Sequence, residues 1–340
     1  MERSFSDERQ SGGFMIRVGI AGYGNVGIGA AKAVEASSDM KLKAVFTRRD
    51  PEDSVFNNVS CAVLPFSSAC EMTDEIDVLL LCGGSATDLP EQGPYFASMF
   101  NTVDSFDTHA KIPVYMSAID KAIEAGTKKT TAIIASGWDP GLFSMIRLLF
   151  ESVLPDGVCH TFWGHGVSQG HSDAIRRING VKYAVQYTIP IGAAVESVRS
   201  GARPELDPSQ KHLRECFVVT ETGADKSEIE AIIKKMPHYF IDYETIVHFI
   251  GTDEFLSRHT EMPHGGMVLR SGNTGENSHM MEFSLKLDSN PEFTGSILAA
   301  YGRAAFRMAS EGLFGAKTVF DVPLSYLSDK SRLTLIEELL

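Results

Sequence analysis

Residues 15–22 read MIRVGIAG, a short apolar run that closes on glycine. The stretch that follows, GNVGIGAAKAVEA, carries its apolar and small residues at helical spacing. The alternation continues through LKAVFT (42–47), DVLLLC (77–82), NTVDSF (101–106) and TAIIASG (131–137), with helix-like stretches between several of these β-rich runs. Strands alternating with helices predict an α/β fold, a doubly wound parallel sheet of the Rossmann type. After GWDPG (137–141), LFSMIRLLFESVL is amphipathic, and Pro140 is placed to start that helix.

The pattern then changes. Residues 181–190, 211–220, 244–250, 267–271 and 279–287 read as strands, and in the last of them Met281, Phe283, Leu285 and Leu287 alternate with Glu282, Ser284 and Lys286. A period of two predicts a mainly antiparallel sheet with one wet face, interrupted by one helix at DKSEIEAIIKKM. The expected organisation is a disordered leader over 1–14, a dinucleotide-binding domain over 15–137 and an α+β substrate-binding and dimerisation domain over 138–290. A C-terminal segment over 291–340 follows, whose small-residue helix ILAAYGRAAFRMASEG is expected to pack back on the first domain. No internal repeat interrupts this plan.

Composition narrows the function classes. A net charge of −13 argues against a nucleic-acid partner, which needs a dense cationic face. No segment approaches the ~18 unbroken apolar residues of a membrane helix and no signal peptide is visible, so no membrane partner is expected. Five cysteines without C-x-x-C spacing suit a reducing, cytoplasmic setting and argue against a disulfide framework or a metal site.

Gly22, Gly24 and Gly27 form G-x-G-x-x-G between a strand and a helix. The first glycine permits a tight turn, the second lets the backbone approach a pyrophosphate, and the third allows close helix–strand packing. Glycine-rich turns without a ligand are common, so it is the strand–helix setting that predicts a dinucleotide. Enzymes selective for NAD carry an acid at the end of the second strand, whereas here it ends Phe46-Thr47-Arg48-Arg49. Two guanidiniums and a hydroxyl suit a 2′-phosphate and predict NADP. The plainer alternative is a solvated arginine pair.

With these residues in place, the chain resembles the meso-diaminopimelate dehydrogenase family over nearly its whole length after Met15. The segments that carry the resemblance include GYGNVG (22–27), FTRR (46–49), GGSATDLPEQ (83–92), TVDSFDTH (102–109), SGWDPGLFS (136–144) and HTFWGHGVSQGHSDAIRRINGV (160–181). VQYTIP (185–190), HLRECFVV (212–219), MPHGG (262–266) and LDSNPEF (287–293) continue it in order. Two positions depart from the pattern: Gly83, where Met is frequent, and His165, where Pro is frequent.

The resemblance implies a homodimer that uses NADP to deaminate the D-centre of meso-2,6-diaminopimelate oxidatively and reversibly. The products are L-2-amino-6-oxopimelate (tetrahydrodipicolinate) and ammonia, within lysine biosynthesis. It implies cofactor contacts from Gly22, Tyr23, Gly24, Asn25, Val26 and Gly27, from Thr47, Arg48 and Arg49, and from Cys82, Gly83, Gly84, Ser85, Ala86 and Thr87. At the reacting centre it implies Asp107 and Asp139 facing the ammonium, Trp138 and Trp163 as walls, and Gln169 and Gly170 at the carboxylate. Thr188, Arg214, His264 and Asn290 are implied at the distal L-centre.

Each has a plainer alternative. Asp139 can cap a helix beginning at Pro140, Asp107 can be a turn residue, and a buried tryptophan is usually core. Arg214 can be an exposed ion-pairing residue, His264 a surface-loop histidine and Asn290 a helix-start residue. Asp107 is the first candidate for the base that takes the amine proton and Asp139 the second. Three rival readings remain: a dehydrogenase of another D-amino acid, an aldehyde or sugar dehydrogenase of similar architecture, and an NADP(H)-sensing regulator. The aldehyde enzyme would need an activated cysteine, which the apolar settings of Cys159 and Cys216 do not offer. The sugar enzyme would need a lysine where this chain has Trp138-Asp139.

Overall fold

The computed structural model describes residues 15–237 and 239–340, and the expected leader lies outside the described residues. One unit runs to Met145 and resumes at Pro291, and the other spans Ile146–Asn290. The sequence reading set the first boundary after Gly137, and the chain passes between units a few residues later, inside the helix Leu142–Val153.

The first unit contributes β1 (Ile16–Ala21), β2 (Met40–Thr47), β3 (Ala62–Pro65), β4 (Val78–Leu81), β5 (Asn101–Asp104) and β6 (Thr131–Ile133). Every neighbouring pair among them is parallel. All four residues of β4 are buried, because helices cover both faces of a parallel sheet. The order β3-β2-β1-β4-β5-β6 reverses direction between β1 and β4, and such a switch point is where this architecture binds dinucleotides. β3 escaped the sequence reading because it is a short edge strand with little buried pattern.

The second unit contributes β7 (Gly157–Trp163), β8 (Gly166–Val167), β9 (Val181–Pro190), β10 (His212–Thr220), β11 (Thr245–Phe249), β12 (His264–Thr274) and β13 (Asn277–Leu287). The sequence suggested a single sheet, but these strands divide between two, β11-β10-β9-β8 and β13-β12-β7. The division falls at Gly164, between β7 and β8, with φ +107. A Cβ there would meet the Thr188 carbonyl oxygen at 2.0 Å, so only glycine lets the chain turn from one sheet into the other. Pairing is antiparallel except between β10 and β11, which the helix Lys226–Lys235 connects. Asp225 caps that helix by accepting from the Ser227 and Glu228 N–H groups. Along β13 the exposed residues Glu282, Ser284 and Lys286 alternate with partly buried ones, giving the expected wet face.

The chain returns to the first unit through the helix Asn290–Ser310 and β14 (Gly315–Lys317), which pairs with β6 as a further parallel edge strand. This helix crosses the helix Asn25–Glu35 at backbone contact. A Cβ on Gly29 would lie 2.6 Å from the Glu292 Cα, and one on Gly295 would lie 2.3 Å from the Ala30 nitrogen. Leu298, Tyr301, Ala304 and Met308 then join the core beneath β1 and β4. Among the described residues no helix is long and apolar enough to cross a membrane.

Candidate active site

The turn after β1 meets each requirement of the glycine spacing. Gly22 has φ +95, a conformation that side chains disfavour. A Cβ on Gly27 would meet the Gly22 carbonyl oxygen at 2.1 Å, whereas one on Gly24 has nothing within 4 Å. The two outer glycines are therefore needed by the fold, and the middle one leaves an open approach. Gly24 begins the helix Asn25–Glu35 without a side-chain cap, and its first turn holds no acid. A phosphate suits such an end through the N–H groups and the helix dipole. Val26 packs on the core behind the turn, and the Tyr23 ring lies 5.3 Å from Phe56.

Cys82 follows β4, and its N–H donates to the Ala21 carbonyl, 2.8 Å away. Burial pushes its thiol up to about 12, so it is packing rather than a nucleophile. Thr47 is buried, and its hydroxyl accepts from the Arg49 N–H at 3.0 Å. The structure also brings in an acid that the sequence reading missed. Arg48, at the end of β2, is ion-paired to Asp88 at 2.8 Å, while Asp88 accepts from the Gly84 N–H at 2.8 Å. Burial alone would raise the Asp88 carboxyl, but the Gly84 and Arg48 hydrogen bonds prevail and hold it below the usual range. Gly83 makes room for this arrangement: a Cβ there would sit 2.8 Å from the Asp88 Cβ and the Gln92 Oε1. The departure from Met thus shapes the 83–88 loop, where Ala86 and Thr87 complete the turn. At the other departure, His165 is exposed and stacks on Tyr187, with ring centroids 5.0 Å apart.

Asp107 lies just past β5 and is exposed, and its N–H donates to the Ser85 hydroxyl at 2.8 Å. The 82–87 loop and the Asp107 loop are therefore tied together. Trp138 and Asp139 follow β6 in a tight turn that closes on Gly141. The expectation that Pro140 starts the helix is corrected: the helix begins at Leu142, and Pro140 belongs to the turn. Asp139 consequently does not stand at the cap position that the alternative reading required. Trp138 is buried, edge-on to Phe143 at 5.2 Å.

The second unit gathers residues that are remote in sequence. Thr188 on β9 faces Arg214 on β10 directly across the ladder, and Arg214 Nη1 donates to the Thr188 hydroxyl. Gly166 on β8 pairs with Thr188, and a Cβ on Gly166 would meet the His264 ring at 2.5 Å, so His264 packs beside the same pair. Gln169 donates to the Met262 sulfur at 3.1 Å, and the Asn290 N–H donates to the Met262 carbonyl at 3.0 Å. The helix Gln169–Arg176 starts at Ser168 without a side-chain cap, and a Cβ on Gly170 would have nothing within 4 Å.

Arg214 is 8% exposed, its guanidinium lies 4.0 Å over the Tyr243 ring, and its Nε has no hydrogen-bond partner among the described residues. Burial pushes its pKa down, as expected of a cation held away from water. Around it are three residues that sequence reasoning missed. Gln186 is buried on the same face of β9, and its Oε1 also lacks a partner. His212 accepts from the Trp163 N–H at 2.8 Å and lies 5.4 Å from the Trp163 ring, so it holds that tryptophan in place. Burial, and then the Arg214 charge, push the His212 ring down to about 4, and the neutral ring is the form that can accept. Tyr243 is the third. None carries a local sequence signal, because each acquires its role from a cross-strand neighbour.

The sheet order, together with a glycine turn leading into an uncapped helix at the switch point, defines a Rossmann-type dinucleotide-binding fold, the kind that nicotinamide-dependent dehydrogenases use. Residues 137–289 match the diaminopimelic acid dehydrogenase C-terminal domain family. The chain is 60% identical over 327 residues to a meso-diaminopimelate D-dehydrogenase of Ureibacillus thermosphaericus, covering 96% of this chain and 99% of that one. Among solved structures, the DAP dehydrogenase of C. glutamicum in complex with DAP is 45% identical with a TM-score of 0.88. An engineered D-amino acid dehydrogenase bound to NADP+ is 43% identical with a TM-score of 0.83. Both matches cover 96% of this chain and 100% of the other. The chain belongs to the meso-diaminopimelate D-dehydrogenase family, whose members are amino-acid dehydrogenases.

Proposed function

We propose that the chain catalyses the reversible, NADP-dependent oxidative deamination of meso-2,6-diaminopimelate at its D-centre, giving L-2-amino-6-oxopimelate and ammonia. The observation that carries the reading is Arg214. Its guanidinium is buried between the Thr188 hydroxyl and the Tyr243 ring, neither of them a carboxylate, and its Nε has no hydrogen-bond partner among the described residues. Burying a cation is costly without an anionic partner, and a substrate carboxylate would supply one through two parallel hydrogen bonds. Thr188, His264 and Asn290 join Arg214 at the L-centre. In the second unit Gln169, Gly170 and the first N–H groups of their helix receive the D-carboxylate beside Trp163, and in the first unit Trp138 stands next to Asp139.

When bound, the nicotinamide accepts hydride from the α-carbon of the D-centre. The chain prepares the amine for that step. Hydride leaves only beside a neutral amine, so Asp107, or Asp139 in its place, first takes a proton from the ammonium. The nitrogen lone pair then forms the imine as hydride departs, and water replaces the nitrogen to give the ketone and free ammonia. Incubation with NADP+ and a panel of D- and L-amino acids, followed through reduced nicotinamide, tests the proposal. Turnover should appear with meso-2,6-diaminopimelate, and its absence with every D-configured amino acid would remove the enzyme reading.

The choice of NADP rests on Thr47, Arg48 and Arg49 at the end of β2. Arg48 pairs with Asp88, and a 2′-phosphate would compete for the same guanidinium. Arg48→Asp should weaken NADP+ binding by about 2–3 kcal/mol, the scale of a lost charged hydrogen bond, and spare NAD+. Titration with both nucleotides decides, and equal losses would place these arginines elsewhere. A cytoplasmic homodimer belongs to the same proposal. Supporting it are the absence of disulfides among the described residues and the exposed Leu148, Leu149 and Val153, which give the second unit's segment of one helix an apolar face.

A further inference from the structure

Two loops leave the carboxyl ends of β5 and β6 in the first unit, one carrying Asp107 and the other Trp138 and Asp139. A single side chain holds both. Asp104, the last residue of β5, is 1% exposed. Its Oδ1 accepts from the Phe106 N–H at 2.9 Å and from the Ala135 N–H at 3.2 Å. The Tyr115 hydroxyl donates to Oδ2 at 2.8 Å. The Asp104 carbonyl accepts from the Ser136 N–H at 3.0 Å and from the Ser136 hydroxyl at 2.9 Å. Phe106 adjoins Asp107, which Ser85 grips from the other side.

Ala135 has φ +53, a left-handed conformation that costs free energy for any residue with a Cβ and persists only where the surroundings impose it. Strand pairing does not need this acid, since β5 and β6 are already joined at Thr102↔Ala132 and Val103↔Ile133. Burying a carboxyl here is also costly, and burial pushes its pKa up to about 6 against the hydrogen bonds that favour its charge. A costly group that fixes two loops is best explained by what those loops carry.

We infer that Asp104 is a positioning residue for the reaction, setting the Asp107 loop against the Trp138–Asp139 loop through its bonds to Phe106 and Ala135. The inference rests on the proposed roles of Asp107 and Asp139. The test compares kcat, substrate KM and NADP+ affinity in Asp104→Asn, Asp104→Leu and Asp104→Glu. One amide oxygen can accept both N–H groups while the amide nitrogen donates to Tyr115, so Asp104→Asn should keep kcat within roughly threefold. Asp104→Leu removes both side-chain acceptors, leaving only the backbone carbonyl's bonds to Ser136, and should lower kcat by about tenfold or more, because small misplacements of reacting groups are costly. NADP+ affinity should stay within roughly threefold and substrate KM should move less than kcat, a split that general loss of structure would not give.

If Asp104→Leu does not fold, Asp104→Glu carries the test, since it keeps the charge, loses the placement and should show the same fall in kcat. Unchanged kcat in Asp104→Leu and Asp104→Glu would overturn the inference, as would parallel losses of kcat and NADP+ affinity, or a fall in kcat in Asp104→Asn as large as in Asp104→Leu. Asp107→Asn separates the two levels. Full turnover in that variant would remove the proposed role of Asp107 and pass it to Asp139, whose loop Asp104 also holds, so that the Asp104 variants alone then decide the inference. Lost turnover there, beside an unaffected Asp104→Leu, would remove the inference alone.

Discussion

Asp107→Asn should lower turnover of meso-2,6-diaminopimelate by about 10²–10⁴ while leaving NADP+ affinity nearly unchanged, the range expected for a general base or a group that positions the reacting amine. The substitution keeps the side chain's size and removes its ability to take a proton. It also leaves the loop's anchor intact, because Ser85 holds Asp107 through the backbone N–H rather than the carboxylate. A loss of kcat can therefore be assigned to the missing base instead of a displaced loop. Steady-state rates with saturating NADP+, together with the affinity of the free enzyme for the nucleotide, make the measurement. Near-normal turnover would leave Asp107 as a turn residue and pass its role to Asp139.

Arg214→Met should reduce kcat/KM for the meso isomer by about 2–3 kcal/mol in transition-state binding, or roughly 30- to 150-fold. Methionine fills similar space but leaves the substrate carboxylate without its cation and removes the Arg214 donor from the Thr188 hydroxyl, which keeps only the longer bond from Gln186. The same anchor makes a stereochemical expectation. Arg214, Thr188, His264 and Asn290 hold the unreactive L-centre, so the D-centre presents its hydrogen to the nicotinamide. The LL isomer should dock distally yet remain inert or act as an inhibitor, and the DD isomer should react poorly because it misfits the distal anchor. Comparable ammonia release from LL and meso, or meso turnover indifferent to Arg214→Met, would contradict this account.

Much of the first unit was legible in the chain because its signals are local. Strands buried on both faces read as unbroken apolar runs, as at Val78–Leu81, and helices between them imply parallel pairing. The G-x-G-x-x-G spacing encodes a backbone turn whose demands on Gly22 and Gly27 are met within a few residues of each. The edge strands β3 and β14 did not announce themselves, since a strand paired on one side needs little pattern.

What the chain did not reveal are relations between remote segments. That Arg48 meets Asp88, that Thr188 stands opposite Arg214, and that His212 holds Trp163 depend on sheet order and register. The parting of the second unit's strands into two sheets depends on one glycine, and glycines in similar settings commonly do nothing of the kind. Asp104 reads in sequence as a polar residue closing an apolar strand, and only packing shows one of its oxygens reaching two loops. Periodicity determines which face of an element is buried, because burial follows from the helical or strand repeat. Which polar group a buried charge meets is decided by tertiary packing, since the partner comes from another stretch of chain and leaves no mark on local spacing.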